Sequence, residues 1–183
     1  MQSSGANFAA WFESAYQADT ARLPGYYQRL KQLIPGFRSI NWKQQYHAEK
    51  VIEVEFMRNG RRDSFQLSEL STGELSLLIH YAILHFGVER HTTLALDEPD
   101  NFLSLSEVEP LIYAIEEEVE RANAQVFLIS HHPEFFDRWA KDPSRARYFE
   151  RTEQGMFRLK EIDWSRSPGL APSELIARGW QDA

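Results

Sequence analysis

Apolar positions along this chain repeat with two different periods, and the switches between them mark the elements. Phe8, Trp11, Phe12 and Tyr16 recur at near-helical spacing and predict a helix over Asn7–Ala18. A second helix is expected to run to Leu33, with Asp19 or Thr20 able to cap it, Pro24 near its start, and Pro35-Gly36 ending it. From Val51 to Met57 the period becomes two. Ile52, Val54 and Phe56 face one way and Val51, Glu53 and Glu55 the other, as in a half-buried strand. A short strand is expected within Phe37–Tyr46. Asn59-Gly60 is a strong hairpin signal, and Arg62–Leu67 is its returning strand.

Past the hairpin, Leu70-Ser71-Thr72-Gly73-Glu74 precedes another helical pattern, Leu75, Leu78, Ile79, Ala82, Ile83 and Phe86, with Gly87 as a stop. Ser71 or Thr72 can cap its start. A small-residue turn opening a helix presents free N–H groups and the positive end of the dipole, which together suit a phosphate. Gly73 lets a backbone or ligand come close. A plain N-cap without a ligand has the same composition.

Two short apolar runs follow. Thr93–Leu96 ends in Asp97-Glu98-Pro99, and Val126–Ile129 ends in Ser130-His131-His132-Pro133. Each reads as a strand buried on both faces. Between them Ser106–Ala122 reads as a helix capped by Ser106, with Glu109 as the capping-box partner. Its apolar stripe is Val108, Leu111, Ile112, Ile115 and Val119, and Glu116, Glu117, Glu118 and Glu120 form a solvated face. Strand, helix and strand make a right-handed parallel unit. This would bring Asp97, Glu98 and His131 to one sheet edge, where open α/β sheets bind ligands. There one carboxylate can hold Mg²⁺ through water and the other can orient and deprotonate a water. A neutral His131 could hydrogen-bond a phosphate, whereas His132 reads as structural. Taken one at a time, these residues equally describe a solvated acidic turn and a surface histidine.

Order and spacing together are more specific. Leu70–Glu74, Leu94–Glu98 and His131 resemble the signature, Walker B and switch-histidine motifs of ABC-type ATPases, closest to the AAA/ABC-like ATPases related to RecF and the structural-maintenance-of-chromosomes (SMC) proteins. The resemblance is tight over Leu70–Pro133 and looser over Ala6–Ile162. It implies ATP and Mg²⁺ as ligands, with Asp97 holding Mg²⁺ through water and Glu98 as the catalytic base. His131 would sense the γ-phosphate. The signature turn, Ser71, Thr72, Gly73 and Glu74, would cap a nucleotide held by a partner subunit. The D-loop would include Leu103 and Ser104, although Ser104 stands where the family usually has Asp or His. The Walker A motif GxxxxGK[ST], which cradles the phosphates, has no counterpart, because no Gly-Lys pair occurs in the sequence.

Composition narrows the rest. The chain has 183 residues, with 12 Phe, 7 Tyr and 5 Trp, enough for one domain with a substantial core. A formal net charge of -7 argues against a broad nucleic-acid-binding face. Arg58, Arg61 and Arg62 around Asn59-Gly60 read as a solvated hairpin tip. The absence of Cys excludes disulfides and thiolate metal sites. No apolar run reaches membrane-spanning length and the start lacks a secretory pattern, so a cytoplasmic location is the default. Met1–Gly5 reads as a frayed end. Pro133–Ala140 should be a short helix, Arg145–Arg151 and Met156–Ile162 strands that finish the sheet, Ser165–Pro172 a linker, and Ser173–Arg178 a last helical turn.

The expected fold is α/β: a partial P-loop NTPase sheet, mainly parallel, with flanking helices, a hairpin and an N-terminal helical segment. The expected divisions are a helical segment of the signature-side lobe over 1–36, an ABC-ATPase-like lobe over 37–165, and a linker and tail over 166–183. The expected function is the C-terminal lobe of a composite ATPase. It would be completed by a Walker A-bearing N-terminal lobe, in the same or a separate chain, and would work as a homodimer or heterodimer. DNA, or an effector nuclease engaged through a partner, would connect it to DNA repair or to defence against phage or foreign DNA. One alternative is a regulatory subunit that keeps the acids and His131 without using them. The other is a metal-dependent nuclease built on Asp97, Glu98, Asp100 and His131, which would leave Leu70–Glu74 without a role.

Overall fold

The computed structural model describes residues 7–44, 50–139, 142, 145–162 and 169–178. The expected frayed start, the end of the strand running to Tyr46, Ala140, and the first half of the Ser165–Pro172 linker lie outside them. Leu128 and Ile129 divide the chain into two compact units.

The first unit opens with α1 (Phe8–Ala18) and α2 (Leu23–Leu33), joined by a 3₁₀ turn at Thr20–Arg22. Pro24 falls at the start of α2, where its missing N–H costs nothing. The α1 aromatics pack as expected. Phe12 stacks on Phe8 at 5.3 Å and on Trp42 at 5.7 Å, and meets Tyr26 and Phe86 at 5.7 and 5.8 Å. Phe8, Phe12, Tyr26 and Phe56 are fully buried, each stabilising the fold by roughly 1.5–3 kcal/mol.

Strands β1 (Phe37–Gln44), β2 (Lys50–Arg58) and β3 (Arg61–Gln66) form an antiparallel sheet in that order. Ile52, Val54 and Phe56 are buried, as their alternation predicts. Asn59 (φ 51°) and Gly60 (φ 75°) both take positive φ at the β2–β3 turn, the geometry that favours Asn-Gly there. Helix α3 (Thr72–Ala82) follows and runs into a π-helical turn at Ile83–Gly87. Tyr26 Oη donates to Leu78 O at 2.9 Å and ties α2 to α3.

Strand β4 (Thr93–Asp97), α4 (Leu105–Ala122) and β5 (Gln125–Ile129) make the strand–helix–strand unit, and β4 pairs with β5 in parallel. Three details differ from expectation. First, α4 starts earlier. Ser104-x-x-Glu107 and Ser106-x-x-Glu109 are overlapping capping boxes, and the first is used, with Ser104 N–H and Oγ both donating to Glu107 at 2.7 Å. Second, Glu118 is not solvated. It lies three residues after Ile115 and seven after Leu111, on the apolar side of the helix, and is 5% exposed. Arg121 at 2.6 Å and Arg29 at 3.8 Å compensate its charge. Third, β4 and β5 are not buried on both faces. Thr93, Ala95, Gln125 and Phe127 are exposed, Phe127 to 57%, while Leu96 is buried, so one face of this pair is covered and the other open.

The second unit holds α5 (Pro133–Trp139), β6 (Arg147–Arg151), β7 (Phe157–Glu161) and α6 (Pro172–Ala177). Ala146 and Ile162 form a small core with Phe136 and Tyr148. Asp137 accepts from Ser173 N–H at 2.9 Å and from Ser173 Oγ at 2.8 Å, which joins α6 to α5.

The sheet therefore corrects the expectation of a mainly parallel one. Among the described residues there are three antiparallel strands, one parallel pair, and an antiparallel β6–β7 hairpin that does not extend a larger sheet. Tight turns permit only antiparallel neighbours, and α4 is the crossover long enough to set two strands parallel.

Candidate functional site

The turn Leu70–Glu74 is built by the start of α3. Ser71 is extended (φ −62°, ψ 153°) and caps the helix: its Oγ accepts from Glu74 N–H at 3.2 Å. Glu74 answers, its Oε2 accepting from Ser71 N–H at 3.0 Å and from Ser71 Oγ at 2.9 Å. The N–H groups of Thr72 and Gly73 fall in the first turn, where the helix itself offers no acceptor. Backbone donors at the positive end of an eleven-residue helix are chemically suited to a phosphate oxygen.

The loop after β4 packs against this turn. Phe102 O lies 2.9 Å from where a Cβ on Gly73 would stand, and Ser76 Oγ donates to Asn101 O at 3.4 Å. A side chain at 73 would push the loop away, so glycine here serves a close backbone approach. The loop is wound tightly, with Asn101 N–H donating to Glu98 O at 3.1 Å and Leu103 N–H to Asp100 O at 3.0 Å. Glu98 (φ 48°) and Phe102 (φ 71°) are both left-handed, at about 1–3 kcal/mol each for residues with a Cβ. Asp97 is exposed at the strand end, Glu98 is partly buried, and Asp100 is 7% exposed. Phe102 is 72% exposed. Leu103 is partly buried, and Ser104 directs its hydroxyl to Glu107 as the cap of α4.

The structure thus brings the first turn of α3, through Gly73 and Ser76, against Asn101 and Phe102 of the Asp97–Ser104 loop. His131 follows β5 in the second unit and is exposed there. His132 has a local structural contact, its Nδ1 accepting from Glu134 N–H at 3.3 Å at the start of α5.

Glu74 and His80 are both shifted by their surroundings. Burial alone would raise the Glu74 carboxyl, but the bonds from Ser71 Oγ and Ser71 N–H and the Arg58 guanidinium outweigh it and hold it below its ordinary value. His80 lies on α3, its Nδ1 2.8 Å from Ser76 O. Burial lowers it, while the Ser76 bond and the charge of Asp100 oppose that. Arg58 is the residue the sequence reading missed. It reads as a solvated hairpin tip, yet its Nη2 lies 2.6 Å from Glu74 Oε1. The one hint available beforehand is that β3 leads directly into the turn.

Among the described residues no three acidic or histidine side chains gather into a metal-holding group. The clustered carboxylates a nuclease needs are therefore not assembled from Asp97, Glu98 and Asp100. One exposed carboxylate does fit Mg²⁺ of the kind that keeps its waters and is held mostly by phosphates. No helix among the described residues is long and apolar enough to cross a membrane.

No curated protein sequence matches the chain. Solved structures that share its fold include two of SMC proteins. One, from "Structural biochemistry of ATP-driven dimerization and DNA stimulated activation of SMC ATPases", is 15% identical, covers 94% of this chain and 98% of its own, and gives a TM-score of 0.59. The other, "Crystal structure of the SmcHead bound to the C-winged helix domain of ScpA", is also 15% identical. It covers 80% of this chain and 44% of its own, with a TM-score of 0.56. The mixed α/β fold therefore resembles an SMC ATPase head. Residues 6–137 match the family described as "AAA domain, putative AbiEii toxin, Type IV TA system", and the chain belongs to that family.

Proposed function

We propose that this chain supplies the signature turn and the water-activating acids of a composite ATP site, and that a Walker A-bearing lobe, in the same or a separate chain, supplies the phosphate cradle. The observation that supports this best is the close approach of the Phe102 backbone to Gly73, where a Cβ would stand only 2.9 Å from Phe102 O; it would couple the turn that caps one nucleotide to the loop that hydrolyses another. The open face of β4 and β5, with Phe127 exposed, fits a sheet that other strands or helices complete. The helices over 1–36 pack on α3 through Tyr26 and Leu78, which supports their placement in the signature-side lobe.

In this reading Asp97 holds Mg²⁺ through water, Glu98 orients and deprotonates the attacking water, and His131 donates to the γ-phosphate. Gly73 contributes an N–H to the phosphate across a head-to-tail dimer, and Ser71 contributes its hydroxyl once the proton turns from Glu74 to the phosphate, with Leu103 and Ser104 in the D-loop. Mg²⁺ would neutralise charge developing on the transferred phosphoryl group. The family description, a putative toxin of a Type IV TA system, supports a toxin-like output in defence more than one in repair.

The test is ATP turnover by the 183-residue chain alone, by the chain with a Walker A-bearing lobe, and by Glu98→Gln in both settings. Negligible turnover alone, and turnover in the complex that Glu98→Gln abolishes, are the expected results. Robust turnover by the isolated chain overturns the composite site. Turnover in the complex that ignores Glu98→Gln overturns the catalytic assignment.

A further inference from the structure

Four contacts close a ring around the signature turn. Tyr26 Oη holds Leu78 O at 2.9 Å, fixing α3 to α2. Just beyond α2, Gly36 O accepts from Met57 N–H at 2.7 Å, which pins β2 near its tip. Arg58, the next residue, reaches Glu74 Oε1 at 2.6 Å. Glu74 in turn binds Ser71 through its other oxygen.

Arg58 is held before it makes this bond. Its guanidinium lies 4.3 Å from the centre of the Phe56 ring and 5.8 Å from that of Phe65, a cation–π arrangement that restricts a side chain otherwise rich in rotamers. The two Glu74 oxygens are thus divided, one to the hairpin and one to the cap. Without Arg58, a bare carboxylate would sit within hydrogen-bond distance of Ser71 Oγ and would repel any anion approaching Ser71 or the first N–H groups of α3.

We propose that Arg58 is a positioning residue for the turn Leu70–Glu74: from the hairpin tip it holds and neutralises the Glu74 carboxylate, so that Ser71 and the first N–H groups of α3 present a net positive face to a terminal phosphate. This rests on the reading of that turn as a phosphate cap. It assigns the β2–β3 hairpin a part in the site, which its exposed arginines alone do not suggest.

The test uses nuclear magnetic resonance of the 183-residue chain, following the Ser71 and Glu74 amides through an acid titration. Arg58→Met keeps an apolar stem over Phe56 and removes the charge, while Arg58→Lys keeps the charge. In Arg58→Met the midpoint at both amides should rise by roughly half a pH unit or more, and Arg58→Lys should restore most of the difference. A structural role through stacking alone would leave Arg58→Met at the wild-type midpoint, and that result overturns the proposal. Should Arg58→Met not fold, the wild-type chain still decides. Raising salt from about 20 mM to about 500 mM screens a partly exposed pair and should move the midpoint upward. A midpoint indifferent to salt overturns the proposal equally. Failure of the composite-site reading would appear elsewhere, as turnover that Glu98→Gln leaves intact, with this titration unaffected.

Discussion

The carbonyl oxygen of Phe102 stands 2.9 Å from the point a Cβ on Gly73 would occupy. Real Cβ atoms do not approach backbone oxygen that closely, so Gly73→Ala must displace the loop carrying Asp97, Glu98 and Asp100, the start of α3, or both. Gly73 is not in the left-handed region, so this cost is one of contact and not of φ. We expect a loss of about 1–3 kcal/mol in urea unfolding, typical of overpacking. Gly60→Ala, at φ 75° with nothing nearby, should cost about 1 kcal/mol from backbone strain alone.

Ser71→Ala should cost about 1 kcal/mol at neutral pH, the usual effect of deleting an N-cap hydroxyl. The loss should depend on pH. The folded-state Glu74 carboxyl is held below its ordinary value of 4.5, so its contribution is complete above that value and lost as the pH falls through the lower folded value. Unfolding titrations of wild type and Ser71→Ala should therefore draw closer in acid without meeting, because Ser71 Oγ still accepts from the Glu74 N–H. A gap of unchanged size there would mean that Ser71 acts independently of the Glu74 carboxylate.

Two half-buried histidines predict a second pH dependence at higher pH. His80 and His85 are both lowered from 6.5, in each case by burial first. Their neutral forms favour the fold, so stability should be full above 6.5 and fall as the pH drops through the lowered folded values. His85 Nε2 lies 2.7 Å from Arg22 O, which makes it the donor, and the buried Nδ1 has no hydrogen-bond partner among the described residues. Protonation would place an unsatisfied N–H there. His85→Phe should flatten the fall in unfolding free energy between pH 7 and 5. An unchanged slope would assign the dependence to His80 or to other groups.

The elements were legible where one period held over a long stretch. The helices ending at Ala18 and Leu33, the alternation through Ile52, Val54 and Phe56, and the Asn59-Gly60 turn all follow from local chemistry. Sheet composition was not, because strand pairing depends on which segments meet, and β6 and β7 read no differently whether they extend a sheet or pair with each other. The burial of β4 and β5 was misread for a related reason: an apolar run records what a face can bury, not whether the cover is present. At the site, Ser71, Gly73 and Glu74 could be chosen as a capped turn from sequence. Arg58 could not, because its contact with Glu74 spans sixteen residues and depends on where the hairpin tip lands.

Tyr26 tests how firmly the N-terminal helices are joined to α3. It is fully buried, and its hydroxyl donates to Leu78 O at 2.9 Å. Tyr26→Phe keeps the ring contacts with Phe12 and Phe86 and removes one buried hydrogen bond, at about 1 kcal/mol. Tyr26→Ala also removes the ring and should cost about 3–5 kcal/mol. Denaturant midpoints of the two variants separate the bond from the packing. Equal losses would mean that the ring contributes little and the hydroxyl carries the junction.

Glu118 offers the sharpest contrast between a charge read as solvated and one that is buried. At 5% exposure its carboxylate depends on Arg121 at 2.6 Å and Arg29 at 3.8 Å, themselves 49% and 28% exposed at the side chain. Removing Arg121 leaves the buried anion with only Arg29 at 3.8 Å, whereas removing Glu118 leaves Arg29 paired with Glu117 at 2.7 Å and a half-exposed Arg121 that can turn to water. Glu118→Leu, on the apolar side of α4, should therefore cost less than Arg121→Ala, although the glutamate is the more buried partner. Arg121 also donates to Val88 O at 3.0 Å, and losing that bond widens the difference. We expect roughly 1–3 kcal/mol for Arg121→Ala, as for a hydrogen bond to a charged group, and less for Glu118→Leu. The reverse order in urea unfolding would show that the pair stabilises the fold beyond what apolar packing at that position can replace.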